Sequence, residues 1–253
     1  MTGPAVLPAA IVPLLRDLAD GLRSVSPPVQ GVWVTGSVSL GAFDDRRSDI
    51  DVIVVTDAEL SGEHIGQVAA LHGRLERDHA LARRLEVQYL PVEVLRGGTV
   101  RPYPVADHGL FIPAGRGDLD ATLRWLLREH GITLFGPPAG DLPIVVSWDD
   151  VLSAMRTNLT VEWDWSATQA PLLVLAEDEE VFYAVATLCR ILSTVEDGTI
   201  VGKQAAVEAW SLRVPPHWSR LLDEARRLRD GAAGPDPFAT TEERARDVRA
   251  FVG

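Results

Sequence analysis

The sequence predicts an α+β protein: a mixed β-sheet with flanking helices, followed by an all-α helical bundle. Two observations carry this. Over the first part, β-rich runs of strand length alternate with stretches of helical spacing, the sign of an α/β layer. Beyond the linker candidate Gly136-Pro137-Pro138-Ala139-Gly140 only helical patterns appear. The division is expected near residue 146, giving domains over 1–146 and 147–253.

The elements follow in order. Residues 8–24 carry apolar side chains at helical spacing (Ile11, Leu14, Leu15, Leu18, Leu22), and Ser26-Pro27-Pro28 is expected to end that helix. Val29 to Thr35 reads as a strand running into Gly36-Ser37, where a short helix should begin. Ile50 to Val55 is a second strand, residues 58–82 a helix, and Leu85 to Leu90 a third strand broken by Pro91. Asp118 to His130 reads as an amphipathic helix with Asp118 as its cap and Gly131 as its stop. Helices are then expected over 149–163, 177–196, 202–211, 215–230 and 240–251.

Composition narrows the function. With 253 residues, 46% hydrophobic and 24% charged, the chain can bury a real core and is not globally disordered. Its 24 Lys and Arg against 36 Asp and Glu give a net charge of −12. Such a surface repels nucleic acid and attracts cationic small molecules, besides keeping the protein in solution. Cys189 is the one cysteine, so no disulfide forms within the chain, which fits a reducing compartment. The start lacks the basic stretch of a signal peptide, and no apolar run is long enough to span a bilayer. A cytoplasmic monomer with no membrane partner is expected.

The chemistry concentrates in Gly31 to Val55. Small residues at Gly36-Ser37 let the backbone approach a phosphate, and N–H groups at a helix start favour anions. Asp49 and Asp51 open the next strand, where residues i and i+2 face the same side. Both carboxylates can therefore hold one hard cation, and Mg²⁺ suits such a pair together with phosphate oxygens. Glu86 opens the third strand. If that strand lies beside the second, Glu86 serves as a third metal ligand or as the base for a hydroxyl proton. Carboxylate-bound metal, phosphate cradle and base together describe nucleotidyl transfer. The bland reading is a glycine turn followed by two exposed strand-end carboxylates.

These residues resemble the DNA polymerase β-type nucleotidyltransferase superfamily, whose pattern is Gly-Ser followed by Asp-x-Asp. Gly36, Ser37, Asp49 and Asp51 match it, as does Ser48 before the first Asp. Residues 184–210 further resemble the helical domain of the aminoglycoside 3''(9) O-adenylyltransferases that modify streptomycin and spectinomycin. The resemblance implies ATP as co-substrate, a cationic drug as acceptor, and Glu86 as the catalytic base. It also places a helix Arg and a later Lys, both directed at ATP, on Arg190 and Lys203. Two such cations would neutralise triphosphate charge; an ion-paired helix Arg and a solvated helix-start Lys are the plainer alternatives.

The drug-binding pattern departs from the family. A family Asp falls on Glu180 and a family His on Tyr183; a second Asp falls near Ala176, with Asp178 close by. The streptomycin-stacking Trp falls beside Trp163 only with gaps, and Trp163 and Trp165 also suit a buried helix junction. A late aromatic ATP contact falls around Leu228. Glu177 to Glu180 equally suit an acidic helix start that complements the macrodipole. Cys189 is expected in the core, and the six histidines, His108 among them, show no metal or triad pattern. Two rivals remain: the same chemistry on another acceptor, such as a protein side chain, and an inactive nucleotide-binding relative.

Overall fold

Strand alternation sets the first layer. The computed structural model describes residues 6–25, 29–98, 102–117, 119–232 and 234–253, with the side chain of Glu162 excepted. Ser26-Pro27-Pro28 and Asp118 lie outside the described residues. The chain divides into two units, Met1–Val151 and Leu152–Gly253.

In chain order the first unit holds α1 (Val12–Arg23), β1 (Val29–Val34), α2 (Gly36–Ser39), β2 (Ile50–Thr56), α3 (Gly62–Asp78), β3 (Leu85–Pro91), α4 (Val92–Leu95), β4 (Tyr103–Asp107), β5 (Leu110–Gly115), α5 (Ala121–His130) and β6 (Ile132–Phe135). The strands form one six-stranded sheet in the order β5-β4-β3-β2-β1-β6. The β2–β3 pair is parallel, with α3 as its crossover, and the other pairs are antiparallel. Val52 and Val54 face a core that includes α1 and α3, whereas Ile53 and Val55 face one that includes Leu127 of α5 and Leu142. Both faces are covered, so β2 reads as an unbroken apolar run.

The sequence missed β4, β5 and β6. Helix α5 starts later than expected, with Asp120 as its cap: Asp120 Oδ1 accepts from Leu123 N at 2.8 Å. Residues 58–61 stay outside α3 because Ser61 takes the N-cap, accepting from His64 N. Gly136 to Gly140 is no linker. Trp33 is fully buried, and its Nε1 donates to Pro137 O at 3.0 Å. Ala139, Leu142 and Ile144 enter the same core.

The division between units falls within α6 (Trp148–Thr168). Then follow α7 (Leu172–Leu175), α8 (Asp178–Asp197), α9 (Lys203–Trp210), α10 (Ser219–Arg229) and α11 (Thr241–Val252). Helix α8 is the centre of the second core, contributing Val181, Ala184, Val185, Leu188 and Cys189 against α9, α10 and α11. It ends on Gly198 in the left-handed region (φ 66°), where glycine carries no Cβ penalty. Burial pushes the Cys189 thiol up to about 12, as befits a core residue. Among the described residues, no helix is long and apolar enough to cross a membrane.

One charged cluster sits inside that core. Glu224 is fully buried and accepts from Arg227 Nε at 2.7 Å and from Arg244 Nη1 at 2.6 Å. Burial alone would raise its pKa, but the two guanidiniums outweigh burial and hold it below the ordinary value. Its contribution to stability is therefore present at neutral pH and lost as the pH falls through its folded pKa. Glu224→Leu takes from Arg227 and Arg244 the carboxylate they share, leaving Arg244 only the half-exposed Asp178, and should cost about 3–5 kcal/mol in urea unfolding of the chain. Unchanged stability would mean that the cluster is not a structural element of the second unit.

Candidate active site

Parallel register brings the carboxylates together. In the β2–β3 pair Ile50 stands opposite Leu85 and Asp51 opposite Glu86. Side chains alternate across a strand, so Asp51 shares a face with Ile53, and Glu86 shares that same face with Leu90. Asp49 lies one step before the strand with the parity of Asp51. Its loop is set by reciprocal bonds: Asp44 N donates to Ser48 Oγ and Ser48 N donates to Asp44 O, each at 2.9 Å. The Ser48 hydroxyl thus serves the turn that orients Asp49.

Gly36 and Ser37 begin α2 directly after β1. Thr35 N donates to Asp51 O at 3.0 Å, which holds this turn against β2. Gly36 has φ +62°, and a Cβ there would stand 1.8 Å from Asp51 Oδ2. Only glycine allows the backbone to pass the carboxylate this closely. The Ser37 hydroxyl is buried without a hydrogen-bond partner among the described residues.

The next hairpin supplies groups that sequence reading missed. In the antiparallel β3–β4 pair Val87 stands opposite Ala106, so the chain carries Asp107 up beside Glu86. His108 and Gly109 then turn into β5 with φ 46° and 79°, the two positive values of a tight hairpin turn. His108 Nδ1 lies 2.5 Å from Asp107 Oδ1 and 3.7 Å from Glu86 Oε1, while Nε2 lies 4.0 Å from Asp49 Oδ1. Asp49, Glu86 and His108 each offer a ligand atom within 4.8 Å of the others. The local signal was His108-Gly109, a turn pair between two β-rich runs.

Crowding shows in the electrostatics. Burial raises the Glu86 pKa first, and the charges of Asp51, Asp49 and Asp107 add to this, lifting it to about 7 against a smaller opposing pull from His108. The hydrogen bond to Asp107 is the main cause of a raised His108 pKa.

The other expected residues lie in the second unit. Trp163 is buried, with Nε1 donating to Asn158 Oδ1 at 2.9 Å. Its ring packs 5.8 Å from that of Tyr183, which is exposed. Tyr183, rather than Trp163, therefore presents the aromatic surface. Lys203, the first residue of α9, places Nζ 5.0 Å from the Tyr183 ring centroid, a cation–π contact. Arg190 lies two turns beyond Tyr183 along α8, on the same helix face. Glu180 precedes Tyr183 by one turn, and burial followed by the charge of Glu177 raises its pKa. Asp178 instead pairs with Arg244 at 2.8 Å, and Leu228 is buried in the core.

The turn itself is testable. Gly36→Ala should shift the Asp51 carboxylate and cut turnover strongly, while far-UV circular dichroism stays native. Wild-type turnover in that variant would remove the close approach from the account.

Comparison with known proteins fits this layout. The nucleotidyltransferase domain family matches residues 15–96, and the aminoglycoside adenylyltransferase C-terminal domain family matches residues 152–253. Aminoglycoside (3'') (9) adenylyltransferases from Klebsiella pneumoniae, Shigella flexneri and Escherichia coli are each 25% identical over 228 residues, spanning 81% of this chain and 79% of theirs. The crystal structure of a spectinomycin adenyltransferase from Enterococcus faecialis, solved with ATP and spectinomycin, shares the fold. Its TM-score is 0.64 at 15% identity, covering 94% of this chain and 97% of that one. The chain is thus similar to a nucleotidyltransferase domain over its first part and to the aminoglycoside adenylyltransferase C-terminal domain over its second, in the order in which its two units follow one another.

Proposed function

We propose that this chain transfers AMP from ATP to a hydroxyl of an aminoglycoside or aminocyclitol of the streptomycin or spectinomycin type, with Mg²⁺, and so confers resistance. The observation that carries this reading is the convergence of Asp49, Asp51 and Glu86 on one sheet face beside the Gly36-Ser37 turn. The names of the relatives supply the acceptor class.

The residues fit a hard cation. Asp49, Asp51 and Glu86 are all oxygen donors, and burial together with the charges of Asp51 and Asp49 lifts Glu86 to about 7, a setting that calls for positive charge among them. Mg²⁺ bound there would neutralise triphosphate oxygens and polarise the phosphorus. The buried Ser37 hydroxyl and the adjoining backbone would cradle phosphate. Glu86 would take the proton from the drug hydroxyl as its oxygen attacks the α-phosphorus in line; the bond to the bridging oxygen breaks and pyrophosphate leaves. Arg190 and Lys203 are assigned to the nucleotide, and Tyr183 and Glu180 to the drug. The net charge of −12 favours a cationic acceptor.

Four experiments test this reading. Asp49→Asn or Asp51→Asn should abolish AMP transfer to streptomycin or spectinomycin with the fold intact, and retained turnover would end the assignment. Glu86→Gln should lower kcat at least about a hundredfold, the scale of a general base. In the wild type, kcat/KM should fall as the pH drops through a value no higher than about 7, because the base must be ionised and a bound cation only lowers its pKa. That acid limb should vanish in Glu86→Gln; a limb that persists would give the base to another group. Lys203→Ala should raise KM for ATP, and an unchanged ATP affinity by calorimetry would free Lys203 from the nucleotide.

A further inference from the structure

We propose that His108 is a nitrogen ligand of the divalent cation held by Asp49 and Glu86, so that this centre binds Mn²⁺ more tightly than its carboxylates alone would, while Mg²⁺ is held there by the oxygens. The inference rests on the metal reading above and adds a ligand to it.

Three features carry it. First, the hairpin turn places the imidazole over the carboxylates: Nε2 is 4.0 Å from Asp49 Oδ1 and Nδ1 is 3.7 Å from Glu86 Oε1. Both are too long for hydrogen bonds. The distance from Nε2 to Asp49 lies within the span of about 4.2 Å that two ligands of one cation, each about 2.1 Å from it, can subtend. Second, Asp107 Oδ1 stands 2.5 Å from Nδ1. A carboxylate on one ring nitrogen keeps the proton there and leaves the other nitrogen as a lone pair, the arrangement found behind metal-bound histidines. The nitrogen left as acceptor is Nε2, the one toward Asp49. Third, Asp49, Glu86 and His108 are the residues whose ligand atoms cluster within 4.8 Å among the described residues, and the set is two oxygens and one nitrogen. Imidazole contributes little to Mg²⁺, which takes oxygen, and much to first-row transition metals.

Register explains why His108 sits here. Pairing of Val87 with Ala106 brings the end of β4 to the carboxylate end of β3, and the positive φ at His108 turns the chain there. Loss of the imidazole is best tested with glycine, which adopts that φ without strain.

The test uses Mn²⁺ on the full chain. In the wild type, pulsed electron paramagnetic resonance of bound Mn²⁺ should show nitrogen coupling from a directly bound imidazole. His108→Gly should remove that coupling and weaken Mn²⁺ binding about tenfold or more in calorimetry, with Mg²⁺ affinity nearly unchanged and circular dichroism native. Asp49→Asn should weaken both cations. If Asp49→Asn loses Mn²⁺ while His108→Gly keeps its affinity, or the wild type lacks nitrogen coupling, the ligand role of His108 is overturned and the carboxylate site stands. If Asp49→Asn also binds Mn²⁺ normally, the cation lies elsewhere and both readings fall.

Discussion

Like-charge repulsion held in place by strand register is the constraint on which this site depends. The parallel β2–β3 ladder puts Asp51 opposite Glu86, and the preceding turn sets Asp49 on the same face. The carboxylates cannot separate without breaking a ladder whose residues are buried on both faces. Protonation responds instead: burial first, and the neighbouring charges after it, lift Glu86 to about 7. A cation would relieve the same repulsion, so one arrangement favours both the metal binding and the near-neutral base proposed for it. The backbone yields as well: Gly36 takes a positive φ because the Asp51 carboxylate occupies the space of a Cβ.

The second unit manages charge differently. Its buried carboxylate, Glu224, is balanced by two arginines, and Arg244 reaches on to Asp178. These groups lock α8, α10 and α11 together, which draws Asp178 into the scaffold. Glu180, Tyr183 and Arg190 follow one another at helical spacing along α8. There, aromatic packing sets the order: Trp163 is buried beneath Tyr183, and Lys203 lies against the Tyr183 ring. The cation assigned to the nucleotide and the aromatic assigned to the drug are therefore neighbours, and a change at one is felt at the other.

Much of this was legible locally. The Gly36-Ser37 turn, the Asp49 and Asp51 pair and the Glu86 strand were read from residue type and spacing, because glycine, paired carboxylates and alternating apolar runs have short-range causes. The helices of the second half were read from their 3.6-residue period. Expectations failed where a local signal had a long-range partner. Gly136 to Gly140 has the composition of a linker, yet Trp33 donates to Pro137 across the sheet. Trp163 suited both a stacking surface and a buried helix junction, and the junction is what forms, with Tyr183 of α8 packed against its ring.

The sequence by itself determined the division into a sheet-bearing first part and a helical second part, and the chemical type of the acidic site. Those properties follow from composition and from patterns within about one turn or one strand. Only the tertiary structure decided which groups share the site. His108 reads as an ordinary surface histidine, and β4 and β5 carry weak strand patterns interrupted by Pro104 and Pro113. Hydrogen bonding of β4 to β3 sets Asp107 and His108 beside Glu86. The pairing of strands distant in sequence is fixed by the whole packed sheet, and no local preference encodes it.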